Sequence, residues 1–104
     1  MKLSSLAIGH YWVADEVYSK RTEIPAGVKL TQHDHPYDHA SALVSGHVVV
    51  EVGGVKRELH GPAMLMIEAG KTHSVTAITD AVWHCLHICA DTDPKTVDQT
   101  ILTR

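Results

Sequence analysis

Turn signals recur along this chain about every eight to twelve residues, and the segments between them are short and β-rich. The sharpest is Gly53-Gly54, which separates His47 to Val52 from Val55 to His60. Two glycines both accept positive φ, so this is a two-residue hairpin turn. Pro25-Ala26-Gly27, Pro36, Gly46, Gly61-Pro62, Glu68-Ala69-Gly70-Lys71 and Asp80 make the other breaks. Strands are therefore expected over Leu6 to Val13, Val17 to Ile24, Val28 to His35, Ala40 to Val44, Met64 to Ile67, His73 to Thr79 and Ala81 to Cys89, besides the two around the hairpin. No strand pattern alternates with a helix pattern, which argues against an α/β fold and for an all-β sandwich or barrel. One short helix is expected at the C-terminus. Asp93 suits the N-cap, Pro94 the first helical position, and Val97 and Ile101 share a face.

With 104 residues the chain is expected to form one domain, spanning 1–104, with one core. Phe is absent and aromatics total 5%, so that core has to be aliphatic. A net charge of −3 without a basic run gives phosphate neutralisation little to work with, so no nucleic-acid partner is expected. Val48-Val49-Val50 is far too short to span a bilayer, and the N-terminal residues lack the apolar stretch of a secretory signal. No membrane partner is expected either. Cys85 and Cys89 are four apart, which on a strand separates their Cα atoms by about 13 Å, beyond disulfide reach. Free thiols point to a reducing compartment and a cytoplasmic protein.

Histidine occurs nine times, as often as Lys and Arg together, and it is scattered rather than gathered in a tag. Such an excess points to metal binding or proton chemistry. The informative segment is Gln32-His33-Asp34-His35-Pro36-Tyr37-Asp38-His39. On a strand, His33 and His35 face the same way with side chains about 6–7 Å apart, able to converge on one ion. Taken alone, the pair fits two exposed residues as well. Pro36 ends the strand, and His39 opens the next segment, from which it can swing back to the same point. His73, directly after a tight turn, can reach that point from across a closed barrel.

Gly27, five residues, His33-Asp34-His35, three residues, His39, six residues and Gly46 resemble the first signature of the cupin superfamily. Gly70, two residues and His73 resemble the core of the second. The resemblance spans Gly27 to Ala77, about half the chain. The first signature keeps its spacing, but His39 stands where the family usually has Glu, which alters the set of metal ligands. In the second, Glu68 replaces a usual Pro and Ala77 a frequent Asn. The resemblance implies a double-stranded β-helix, a small jelly-roll barrel of the RmlC-like type. It implies one divalent transition metal per chain, held by His33, His35, His39 and His73. Such a ligand set suits Fe, Ni, Cu, Zn or Mn. It leaves the ion more Lewis acidic than a set containing a carboxylate does.

Alternation on the last strand puts Val82, His84, Leu86 and Ile88 on one face and Trp83, Cys85, His87 and Cys89 on the other. The second set reads as the pocket wall. There His87 is the candidate catalytic proton donor or substrate contact, the alternative being a hydrogen-bonded, partly buried histidine. Trp83 and Cys85 would line the pocket, although a buried thiol is more simply inert. Tyr37 and Asp38 would orient a ligand imidazole or form a solvated turn. Asp34 should point outward, and His10, His47 and His60 read as surface residues. No nucleophile elbow, phosphate loop or Cys-His nucleophile motif is present.

Two functions fit. One is a small metalloenzyme, dioxygenase-like because of its histidine-only ligands, acting on a small polar substrate. The other is a non-catalytic module that binds or senses a small ligand and is stabilised by its metal. A titratable group beside the open metal position would favour the enzyme. The last strand is apolar on both faces, and Ile8, Tyr11, Trp12 and Val13 add apolar area near the N-terminus, so a homodimer is expected.

Overall fold

The computed structural model describes residues 7–14, 16–32, 35–88 and 95. Nine strands run through the described residues: β1 (Ala7–Ala14), β2 (Val17–Ile24), β3 (Lys29–Gln32), β4 (His39–Ser45), β5 (His47–Val52), β6 (Val55–His60), β7 (Ala63–Ile67), β8 (His73–Ala77) and β9 (Ala81–Ile88). They form two antiparallel sheets, of order β1-β2-β9-β4-β7 and β3-β8-β5-β6. This is the expected all-β jelly roll. The C-terminal helix expected from Asp93 and Pro94 lies outside the described residues, as do Cys89, His33 and Asp34.

Side-chain alternation explains why these segments become strands. Along β4, His39, Ser41 and Leu43 are buried while Ala40 and Ala42 are only half-buried. Along β9, Ala81, Trp83, Cys85 and His87 are buried and their neighbours are not. Each sheet thus turns one face inward. The core between them joins Ile24, Leu43, Leu65, Ile67 and Trp83 of the first sheet to Val48, Val50, Val75 and Ala77 of the second. It is aliphatic as expected, with Trp83 as its one large ring.

The extended segment expected to run from Val28 to His35 is shorter. β3 ends at Gln32, and His35 lies in the connection to β4 rather than on a strand. Two contacts tie that connection to the turn between β7 and β8. Gly70 N–H donates to the His35 carbonyl at 2.8 Å, and Ala69 N–H donates to Asp38 Oδ1 at 2.7 Å. The first gives the His35 carbonyl a partner outside the sheet ladder.

Gly46 shows why one spaced glycine is needed. Its φ is +101°, and a Cβ there would lie 2.5 Å from the Asp80 carbonyl oxygen. The β4–β5 turn therefore packs against the start of β9 only without a side chain.

Candidate metal centre

Four buried histidines meet at one end of the space between the sheets. His39 is the first residue of β4 and His73 the first of β8, both with inward side chains. His87, near the end of β9, faces inward beside Tyr18, its cross-strand partner on β2. His35 enters from the β3–β4 connection. Ring centroids are 5.0 Å apart for His35 and His39, 4.9 Å for His35 and His87, 4.8 Å for His39 and His87, and 5.5 Å for His39 and His73. Ring nitrogens of His35, His39 and His87 lie within 4.8 Å of one another; so do those of His39 and His73 with Cys85 Sγ. His39 is the member common to both groups.

The structure thus brings together His35, His39 and His73 of the expected ligands. The fourth, His33, lies outside the described residues. His87, expected as a proton donor or substrate contact, stands close enough to be counted with the ligands. Its Nδ1 is 2.9 Å from Tyr37 Oη. When Nδ1–H donates to that oxygen, the other ring nitrogen keeps its lone pair for the cluster. Asp38 Oδ1 accepts the Ala69 N–H described above.

Gln32 was not among the sequence candidates. It faces His73 across the β3–β8 pair, and its Oε1 accepts a hydrogen bond from His73 Nε2. The same oxygen accepts from Cys85 Sγ at 3.3 Å. With Nε2 protonated, the lone pair of His73 is on Nδ1. Only strand register brings these residues together, so a local reading of the sequence does not find them.

Electrostatics favour the neutral form of His39 and His73. Burial, then the neighbouring His35, pulls the His39 pKa down to about 4, with Asp38 opposing. Burial, then His39 and His35, pulls His73 to about 4. Both rings therefore offer a lone pair at neutral pH. Burial pushes the Cys85 thiol up, with its hydrogen bonds to Ser41, Trp83 and Gln32 opposing. Trp83 Nε1–H donates to Cys85 Sγ at 3.3 Å. Cys85 is thus a protonated, free thiol that packs the cluster's inner wall.

The donor set fits a divalent transition metal. Among the described residues, Nδ1 and Nε2 of His39 and Nδ1 of His73 are buried without a hydrogen-bond partner. Buried ring nitrogens left so are costly, and several aimed at one place are what a metal satisfies. A cavity of about 340 Å³ reaches Tyr37, His39 and His87, with Val17, Met66, Leu86 and Ile88 among its walls.

No protein-family model matches the sequence, and no curated protein matches it. Solved structures do. A variant of salicylate 1,2-dioxygenase from Pseudoaminobacter salicylatoxidans is 14% identical, with a TM-score of 0.74 over 83% of this chain and 27% of that one. This chain therefore spans only about a quarter of the dioxygenase. A cupin superfamily protein from Desulfitobacterium hafniense is 15% identical, with a TM-score of 0.71 over 86% of this chain and 82% of that one. KdgF from Halomonas sp. is 16% identical, with a TM-score of 0.69 over 85% of each chain. Paired antiparallel sheets, inward histidines at the heads of β4 and β8, and these neighbours agree: the fold of this chain is that of the cupin superfamily.

Proposed function

We propose that this chain is a small metal-dependent cupin enzyme, dioxygenase-like, acting on a small polar substrate. Its ligands would be His35, His39 and His73, with His33 completing the set that the signature spacing implies. The bound ion, Fe, Ni, Zn, Mn or Cu, would supply Lewis acidity, or redox chemistry if it is iron. The observation that carries the enzyme reading over a pure binding module is the Tyr37–His87 pair. It sets two titratable groups beside the histidine cluster, where the cavity opens. His87 would hold or deliver a proton there, with Tyr37 fixing its ring. Gentisate, seen with the salicylate dioxygenase, is a small polar molecule.

The unit would act as a homodimer, through the apolar outer face of the five-stranded sheet. The free Cys85 thiol supports a reducing, cytoplasmic setting. Elemental analysis of purified protein, followed by oxygen uptake on a panel of thiols, diketones and hydroxybenzoates, tests the reading. Iron with oxygen consumption on one class would support it. Zinc alone, with ligand binding but no turnover, would replace it with the binding module.

A further inference from the structure

A second cluster of ligating side chains lies on the outer face of the four-stranded sheet, away from the barrel interior. The Gly53-Gly54 turn fixes the register of β5 and β6, so that His47 pairs with His60 and Val49 with Glu58. Alternation puts Glu58 and His60 on one face of β6. On β5, Val48 and Val50 are buried, which turns His47 to that same outer face. His47 Nε2 lies 2.6 Å from Glu58 Oε1, and His60 Nε2 lies 3.9 Å from the same oxygen. The two imidazoles stack with centroids 3.9 Å apart and planes at 18°. One donor atom from each of the three residues lies within 4.8 Å of the other two.

The backbone under this cluster is already fixed. His47 N–H donates to Thr79 Oγ1 at 3.0 Å, and its carbonyl accepts from Ile78 N–H at 2.8 Å and Thr79 N–H at 3.3 Å. Ligation would require side-chain rotation only. A single proton shared with Glu58 serves one imidazole and leaves the other merely stacked on it. A divalent cation uses both nitrogens and the carboxylate oxygen together. Two imidazoles and one carboxylate, with the remaining positions open to water, are a set that Zn, Ni, Cu or Fe accepts.

We propose that His47, Glu58 and His60 form a second, solvent-facing site for a divalent transition metal ion. It clips β6, the edge strand of its sheet, to β5, and is independent of the interior histidines. Zn²⁺ added to the chelator-treated full chain tests this, followed by bound equivalents and by the imidazole NMR resonances. Two equivalents should bind, with the His47 and His60 resonances moving together. His60→Gln should lose one equivalent and keep the interior one. Glu58→Gln should weaken the surface site by roughly tenfold. His39→Leu should remove the interior equivalent while His47 and His60 still respond. Resonances of His47 and His60 that stay unmoved at millimolar Zn²⁺ would overturn the proposal. So would unchanged stoichiometry in His60→Gln. His60 is exposed, so that substitution leaves the fold intact.

Discussion

Tyr37 Oη and His87 Nδ1 lie 2.9 Å apart across a sequence separation of 50 residues, and this contact joins the ligand-bearing connection to the last strand. Tyr37→Phe should leave the fold unchanged, because only a hydroxyl is removed at a half-buried position. It should remove one hydrogen bond from the His87 ring and lower turnover by about 10–100-fold. An unchanged pH–rate profile in that variant would remove Tyr37 from the proton-handling role.

His39 carries two buried ring nitrogens without hydrogen-bond partners among the described residues. In metal-free protein these are a liability. His39→Leu, similar in volume, should abolish interior metal binding yet raise the stability of the chelator-treated chain by about 1–3 kcal/mol. Denaturant unfolding with and without chelator reads both effects. A destabilised metal-free variant would mean that His39 is satisfied by contacts of its own.

Acid should act on the same residues with a defined sign. His39 and His73 have folded pKa values of about 4 against an ordinary 6.5. Between those values the unfolded chain binds more protons than the folded one, so stability rises with pH across that window. The metal-free protein should therefore lose stability as pH falls from about 6.5 toward 4 and be flat above it. Bound metal should be released only as pH falls to about 4 and below, where protons begin to compete for the lone pairs of the folded site. Thermal unfolding against pH, with metal content measured in parallel, checks both. Metal lost already near pH about 6.5 would mean that the site does not hold these imidazoles neutral.

The sequence was most legible where local chemistry decides the structure. Val17–Ile24, His47–Val52 and Val55–His60 were read with the bounds they have, because turns and alternation set them without help from elsewhere. Parity groups Trp83, Cys85 and His87 on one face, and their side-chain types mark it as the inward one. What was not legible depends on partners distant in sequence. Gln32 meets His73 through the β3–β8 register, and Tyr18 meets His87 through β2–β9. His35 is not on a strand, and its carbonyl accepts from Gly70 of the β7–β8 turn rather than from a neighbouring strand. The His47–His60 pair is an intermediate case. Counting back from Gly53-Gly54 places the two residues opposite each other, yet they read as separate surface histidines until that register is drawn.

Gly46 supplies a test of the turn that seats the first signature against β9. Gly46→Ala adds left-handed strain of roughly 1–3 kcal/mol, and its Cβ meets the Asp80 carbonyl oxygen at 2.5 Å. The variant should unfold at lower temperature and express poorly. A melting temperature equal to that of the parent would show that the turn relaxes without penalty.

The outer face of β9, β4 and β7 provides the last test. Ala40 lies between Leu86 and Met66, and Ala42 between His84 and Met64, in register. Met64 is 69% exposed, Met66 60% and Ile88 59%, so large apolar side chains flank a shallow alanine furrow along β4. Isolated apolar residues at a surface are ordinary, but a contiguous patch of this kind calls for cover. A second copy laid across it would fill both furrows by symmetry, burying about 1,200–2,000 Å² in a stable dimer. Light scattering should then give twice 11.4 kDa. Met66→Glu, on an exposed position, should shift the mass toward the monomer without disturbing the inward-facing core. A parent protein that stays monodisperse at 11.4 kDa would leave the patch to a different partner and remove the homodimer from the proposal.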